Sequence, residues 1–156
     1  MGDTPKMLKS QPIFTIHAEL EAMMNLGRTP YGERRVIGIA GGTVSGPRLN
    51  GRVLPGGADW QIIRADGAAD IQARYTLESD SGGRILVYSA GLRHGPPEVM
   101  AALARGDHVD PALYYFRTVL RFETSDPTAE WLNRILALAH GRREPRAVRL
   151  DVYEVE

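Results

Sequence analysis

The sequence predicts an all-β protein with one or two short helices, arranged as an antiparallel barrel or sandwich. Its 17 glycines and 10 prolines are spread between short apolar runs, which is typical of a turn-rich β protein. Several of these runs alternate apolar and polar residues with the period of two that a half-buried strand shows. About eight or nine such strands at regular spacing favour one sheet that closes or stacks on itself.

Three stretches before residue 50 carry the first part of this pattern. Residues 13–20 alternate and predict a strand, and residues 36–44 predict a second, β-branched and glycine-rich strand. Glycines inside a strand indicate a bulge, sharp coiling, or a wall that a ligand or another strand approaches closely. The Gly, Pro and Asn content of residues 25–34 predicts a loop between these strands.

The central stretch, residues 51–77, reads as three strands joined by two tight turns. We interpret its last two strands as the wall of a closed or nearly closed barrel. They hold an unusual number of hydrogen-bonding side chains, namely Asp59, Trp60, Gln61, Arg64, Asp66, Gln72, Arg74 and Tyr75.

The second half of the chain predicts further strands at 84–90, 114–124 and 147–155. A short helix is expected to open at Pro96-Pro97-Glu98 and to run through about Ala104, with proline in its first turn and Gly106 beyond its end. Asp126 and Pro127 begin another helix. That helix either runs to Gly141, or it ends near Asn133 and a strand follows from residue 135.

Length and composition predict one domain at 11–156 behind a flexible tail at 1–10. Lys and Arg balance Asp and Glu at 19 each, so nothing draws the chain to nucleic acid or to an anionic membrane. The absence of cysteine removes disulfides and thiolate chemistry and fits a cytoplasmic location. A homo-oligomer is left open.

Compact catalytic motifs are missing from the sequence. The run at 41–46 has Walker-like spacing, but Pro47 and Arg48 stand where Lys and Ser or Thr are required. No serine lies in a G-x-S-x-G elbow, and the four histidines have no metal-like spacing. We therefore expect neither a metal nor a cofactor.

The remaining candidates are strand residues, and their direction decides their role. In residues 69–78, Ile71, Ala73, Tyr75 and Leu77 share one face, and Asp70, Gln72, Arg74 and Thr76 share the other. In the strand that begins at Tyr114, one face likewise holds Arg117, Arg121 and Glu123. If such a charged face points inward, its arginines must be paired or bind something, because an unpaired buried charge is costly. If the apolar face points inward, these arginines are solvated. The sequence leaves both arrangements open.

A chain of motifs resembles a mainly bacterial family of small proteins described as a domain of unknown function. It includes Gly41-Gly42, Gly46-Pro47, the string LPGGADWQ at 54–61, Tyr115-Phe116-Arg117 and the closing Val152-Tyr153-Glu154-Val155. The resemblance implies an up-and-down, calycin- or lipocalin-like β-barrel, and it favours a strand at 135–140. It implies no established activity, although such barrels elsewhere bind hydrophobic small molecules or act as cofactor-free isomerases, cyclases or lyases.

Two functions are weighed against a structural protein with a filled core. The first is a barrel that binds a small molecule, with contacts from Trp60, Gln61, Arg74, Tyr88, Tyr115, Arg117 and Trp131. The second is a cofactor-independent lyase, isomerase or cyclase acting on a small carbonyl or ring-bearing metabolite. In it Asp59 or Glu123 acts as the general base.

Overall fold

The computed structural model describes residues 6–156, which form ten strands, one α-helix and two 3₁₀ segments. The strands are β1 (Phe14–Leu20), β2 (Met24–Thr29), β3 (Gly32–Ser45), β4 (Gly51–Val53), β5 (Ala58–Ile63), β6 (Ala69–Ser79), β7 (Arg84–His94), β8 (Tyr115–Thr124), β9 (Leu136–Glu144) and β10 (Ala147–Val155). Helix α1 spans Pro97–Ala104, and the 3₁₀ segments span Pro111–Leu113 and Pro127–Arg134.

The strands form a closed antiparallel barrel of eight strand positions. From β3 to β10, strands that follow one another in the chain pair in the sheet, with one exception. Strands β4 and β5 do not pair with each other and share one position between β3 and β6. Strand β1 then pairs with β10 on one side and β3 on the other, as in Thr15 opposite both Asp151 and Ser45. The prediction of an up-and-down antiparallel barrel is confirmed.

The long strand β3 bends at its glycines. Its first part pairs with β2 and β5, and its second part pairs with β1 and β4. Gly42 has φ +138°, and a Cβ atom there would lie 1.9 Å from the carbonyl oxygen of His17. A glycine is required because the backbone of β1 passes too close for any side chain.

The loop predicted at 25–34 is wrong, because these residues form the β2–β3 hairpin. Its turn is stabilised locally, since the hydroxyl of Thr29 accepts from the N–H of Tyr31 at 3.1 Å and donates to the carbonyl of Gly32 at 2.9 Å. Proline and glycine here are turn residues of a hairpin, and the same composition is typical of a longer loop.

The segment after Asp126 is a short 3₁₀ segment followed by a strand. The Asp126 carboxylate accepts the N–H of Thr128 at 2.9 Å, and the segment ends at Arg134. Strand β9 then buries Ala137 and Ala139 on its inner face. The strand implied by the family resemblance at 135–140 is confirmed from Leu136 onward.

Apolar side chains fill the lower end of the barrel, where β8 ends and the Pro127–Arg134 segment begins. The rings of Phe14 and Phe122 meet edge to face at 5.9 Å, and Leu132 closes the end fully buried. Leu77, Ile85, Val87 and Leu120 complete this apolar half. The lumen is therefore packed below and can hold a site only in its upper half.

The upper end lies where β7 ends and helix α1 follows. Leu103 of α1 is buried, so the helix packs on the barrel mouth. No helix in residues 6–156 has the length and apolar character needed to cross a membrane.

Of the predicted tail, residues 1–5 lie outside the described residues. Leu8 forms a bridge with Val155, and the N–H of Glu156 donates to the carbonyl of Met7 at 2.9 Å. Residues 7–9 therefore lie beside the end of β10. For the other residues of 1–10, a flexible tail stays a prediction.

The alternation along β8 can be tested with two neighbouring residues. Leu120 is 0% exposed and points inward, whereas Val119 is 45% exposed and points outward. We expect Leu120→Ala to lower the free energy of unfolding by about 2–5 kcal/mol, because it leaves a cavity in the core. Val119→Ala should cost less than about 1 kcal/mol. Chemical denaturation measures both, and equal losses would contradict the register of β8.

Candidate functional site

The upper half of the barrel lumen is lined by polar side chains from five strands. They are Asp59 and Gln61 on β5, Tyr75 on β6, Ser89 and Arg93 on β7, Thr118 on β8 and Arg143 on β9. The centre of a water molecule can move within about 50 Å³ between them. Aliphatic side chains and Phe116 form the rest of the wall.

These polar residues point inward because they occupy inward positions of alternating strands. Tyr75 stands between Ala73 and Leu77 on the buried face of β6, and Thr118 stands between Phe116 and Leu120 on β8. The pleat turns every second side chain toward the lumen regardless of its chemistry. A polar residue at an inward position of a mainly apolar face therefore points into the lumen.

Asp59 is the carboxylate of this cavity. It accepts the side-chain N–H of Gln61 at 2.8 Å and the backbone N–H of Gln72 at 2.9 Å. The β5–β6 pairing has a gap between Asp59 opposite Ala73 and Ile62 opposite Asp70, and the carboxylate takes the N–H of Gln72 within it. Burial raises the pKa of Asp59, while the two hydrogen bonds and the positive charge of Arg93 oppose that rise.

Arg93 is the more buried of the two cations that line the cavity. Its Cζ lies 5.4 Å from the ring centroid of Phe116. Burial, helped by the charge of Arg143, lowers the pKa of Arg93 to about 10, so the guanidinium stays charged at neutral pH. Arg143 donates through Nη1 to the carbonyls of Glu144 and, at 3.1 Å, Ala147. Burial lowers its pKa as well.

Several buried polar atoms of the cavity lack a hydrogen-bond partner in the part of the chain that the structure describes. They are the hydroxyls of Tyr75 and Thr118 and the Nε of Arg93. Tyr75 is 4% exposed and Thr118 is 2% exposed. Burial and the nearby Asp59 charge raise the pKa of Tyr75, so its hydroxyl keeps its proton. These atoms are free to bind a molecule in the lumen.

A groove at the barrel mouth leads to this cavity. It has a volume of about 400 Å³ and runs beneath helix α1, whose Met100 and Leu103 line one side. Ile37, Gln61, Arg93 and Arg143 line both the groove and the inner cavity. The two spaces therefore meet at the arginines.

The structure places only two of the sequence-predicted site residues in this cavity, Asp59 and Gln61. Trp60, Arg74, Tyr88 and Tyr115 point outward, as do Arg117 and the exposed Glu123. The prediction that the aromatic and arginine residues hold a ligand together inside the barrel needs correction, because the pleat of each strand turns them away from the lumen. Whether any of these side chains binds a ligand stays a prediction.

Two groups of these residues have their own contacts outside the lumen. Trp60, Arg74 and Tyr88 line one shallow groove on the outer face, with the Cζ of Arg74 4.0 Å from the ring centroid of Tyr88. Trp131 lies at the lower end, with the Cζ of Arg48 3.6 Å from its ring. Tyr115 and Arg117 line a further outer groove. The predicted residues are thus distributed over at least four places.

Sequence reasoning missed most of the residues that do line the cavity. Ser89, Arg93, Thr118 and Arg143 lie on the faces that alternation marks as apolar, as does Tyr75, whose hydrogen-bonding side chain was already noted in the sequence. The signal that could have identified them is a polar residue at one of the alternate strand positions that are otherwise apolar.

A closed meander barrel with a packed lower half and a polar upper lumen defines a class of small β-barrels with an internal pocket. Within that class, residues 8–155 match the family described as "Protein of unknown function (DUF3237)", and the chain belongs to that family. The resemblance noted in the sequence is confirmed. The UPF0311 protein RPA1785 of Rhodopseudomonas palustris is 40% identical over 148 residues, which cover 95% of this chain and 97% of that protein.

Solved structures agree with this assignment. The crystal structure of RPA1785 superposes with a TM-score of 0.91 over 99% of this chain and all of that one. A β-barrel-like protein from Acinetobacter baumannii is 41% identical, covers 98% of this chain and 99% of its own, and has a TM-score of 0.83. An enzyme from Penicillium herquei, 19% identical with full coverage of both chains and a TM-score of 0.73, shares the fold.

The environment of Asp59 predicts how its carboxyl titrates. We expect its pKa to lie above the ordinary 3.8, and Gln61→Leu to raise it further because a hydrogen bond to the ionised form is lost. The folded state then holds this proton more tightly than the unfolded chain. Asp59 therefore contributes stability that is lost as the pH rises through its folded-state pKa.

A ¹³C NMR titration of the carboxyl group measures this shift. Gln72→Leu is the matched control, because only the backbone N–H of Gln72 contacts Asp59 and that N–H remains. An unchanged pKa in Gln61→Leu, or an equal change in both variants, would contradict the assigned contacts.

Proposed function

We propose that this protein binds a small organic molecule in the upper lumen of its barrel. The observation that carries the proposal is the set of buried, unpartnered polar atoms around an unfilled space, from Tyr75, Thr118 and Arg93. A buried polar group without a partner costs about 1–3 kcal/mol. A bound molecule that supplies the missing partners would recover that cost.

The shape of the cavity supports a compact ligand. The open space is about 50 Å³ for the centre of a water molecule in the cavity and about 400 Å³ in the groove beneath α1, and most of the cavity wall is apolar with a few polar groups. The groove beneath α1 offers a route in, because it shares Arg93 and Arg143 with the inner cavity. A ligand with one ring and two or three polar atoms fits this description.

A purely structural barrel explains the same residues less well. In a filled core, positions such as Tyr75 and Thr118 would be occupied by Phe and Val, which need no partner. The lower half of this barrel shows that filling with Phe14, Leu77 and Phe122. The upper half instead keeps charges at Asp59 and Arg93. A cytoplasmic location, the absence of a cofactor and the oligomeric state stay predictions.

Blocking the cavity tests the proposal. Ala73 lines the lumen and Ala90 lies on the outer face of the adjacent strand. In a ligand-observed NMR screen of single-ring compounds, we expect wild type and Ala90→Leu to bind the same compounds. Ala73→Leu should lose them, because its side chain occupies the space. Thermal unfolding checks that both variants fold.

Two outcomes count against lumen binding. One is a screen in which no compound binds wild type. The other is a folded Ala73→Leu variant that binds every compound as wild type does.

A second candidate function is cofactor-independent proton transfer by Asp59. It is favoured by the raised pKa of a carboxyl that faces an enclosed cavity, which is a common property of general acids and bases. In this reaction Asp59 removes a proton from carbon next to a carbonyl. The hydroxyl of Tyr75 or the guanidinium of Arg93 then stabilises the enolate oxygen. The enzyme from Penicillium herquei is similar in fold alone.

Deuterium exchange tests this second function. Bound carbonyl compounds with an acidic C–H are incubated with protein in D₂O, and exchange is followed by NMR. We expect Asp59→Asn to slow exchange by about a hundredfold or more while binding persists, because the base is removed. The control is Glu123→Gln, which removes an exposed carboxylate on the outer face and should leave the rate unchanged. Equal rates in wild type and Asp59→Asn would exclude Asp59 as the base.

A further inference from the structure

Every unpartnered polar group of the lumen has a hydrogen to donate, and the hydroxyls can accept as well. The Nε–H of Arg93 can only donate, and the hydroxyls of Tyr75 and Thr118 each carry a proton that no acceptor in residues 6–156 takes. At the mouth, the Nε–H of Arg35 is likewise buried and unpartnered. The missing partner must therefore be rich in acceptor atoms.

The charges of the upper lumen also favour a ligand with acceptor atoms. Arg35 is paired with Glu33 at 2.9 Å, but within residues 6–156 neither Arg93 nor Arg143 lies in an ion pair. Arg143 is held by backbone carbonyls, and its charge disfavours that of Arg93. Two partly buried guanidiniums near the mouth thus face a single carboxyl, Asp59. The region carries a surplus of positive charge that an anion would neutralise.

The strand register orders these groups by depth. Arg93 lies opposite Ala69 and Phe116, at the mouth. Thr118 lies opposite Gly91, and Asp59 lies opposite Ala73, deeper in the lumen. Tyr75 lies opposite Val87, deeper again. A ligand that enters beneath α1 meets the cations first and the neutral hydroxyls last.

We infer that the lumen takes a small organic carboxylate, with its anionic end at Arg93 near the mouth and a neutral oxygen at the deep end beside Tyr75. The inference rests on the proposed function, since it names the chemical class of ligand for the same cavity. Arginine suits a carboxylate because its planar fork can donate two parallel hydrogen bonds. Ile37, Ile71 and Phe116 pack against the apolar body between the two ends.

Three matched probes separate the two ends of such a ligand. They are 4-hydroxybenzoate, its uncharged analogue 4-hydroxybenzamide, and benzoate, which lacks the distal oxygen. Calorimetry should show the carboxylate binding about tenfold to a hundredfold more tightly than the amide, because a hydrogen bond to a charged group is lost in the amide. It should also show 4-hydroxybenzoate binding more tightly than benzoate.

Two variants assign each preference to its residue. Arg93→Met should abolish the preference for carboxylate over amide, and Tyr75→Phe should abolish the preference for the distal hydroxyl. Arg121→Met is the control, because this arginine points outward from β8 and should leave both preferences intact. Arg93→Lys should retain part of the carboxylate preference, since it keeps the charge without the fork.

The stability of the free protein gives a second readout. Without ligand, Arg93→Met should unfold at a higher temperature than wild type, because an unpaired buried charge is removed. A lower unfolding temperature would show that Arg93 serves the fold, and this would overturn the inference.

The outcomes distinguish this inference from the function on which it rests. Equal binding of amide and carboxylate overturns the anionic class and leaves lumen binding standing. Failure of all three probes overturns it too, and the proposed function then falls only if the single-ring screen is also empty. Retention of the carboxylate preference in Arg93→Met overturns the assignment to Arg93.

Discussion

The structure depends on β1 pairing with two strands that are far apart in the chain. By bonding to β10 on one side and β3 on the other, β1 closes the sheet into a barrel with a lumen, while β2 pairs with β3 alone. Closure also fixes which side chains are internal, because a slip of one residue would turn every side chain of a strand to the other face. At this closure the backbone of β1 approaches Gly42 so closely that no side chain fits there.

Closure produces a lumen whose two ends are lined by different kinds of side chain. Below, Phe14, Leu77 and Phe122 interdigitate as in an ordinary core, and Leu132 seals the end. Above, the same inward positions carry Asp59, Tyr75 and Arg93, which weaken the fold through desolvation and unmet hydrogen bonds. Proteins tolerate such local losses where function requires them. The packed half provides the stability that lets the upper half remain polar and unfilled.

The sequence predicted the fold far better than the site. Alternation located most strands, and the family resemblance resolved the ambiguous strand β9. The site was misjudged because richness in polar residues drew attention to faces that are polar simply because they meet water. Trp60, Arg74 and Tyr88 belong to such faces. The informative residues were the exceptions on the apolar faces, such as Thr118 between Phe116 and Leu120. No pattern in a single chain gives the distances that bring Asp59, Tyr75 and Arg93 around one cavity.

The arginines illustrate why direction matters more than residue type. On the outside, Arg74 stacks on Tyr88 at 4.0 Å, and Arg52 donates to Glu78 at 2.9 Å. Such groups are solvated and screened, so their pairing contributes little and leaves nothing unsatisfied. Arg93 has the same chemistry but is partly buried at the barrel mouth, and no carboxylate in residues 6–156 forms an ion pair with it. Desolvation disfavours its charge, so that charge is maintained at a cost to the free protein. This partly buried cation without a carboxylate partner is the feature on which the proposed ligand class rests.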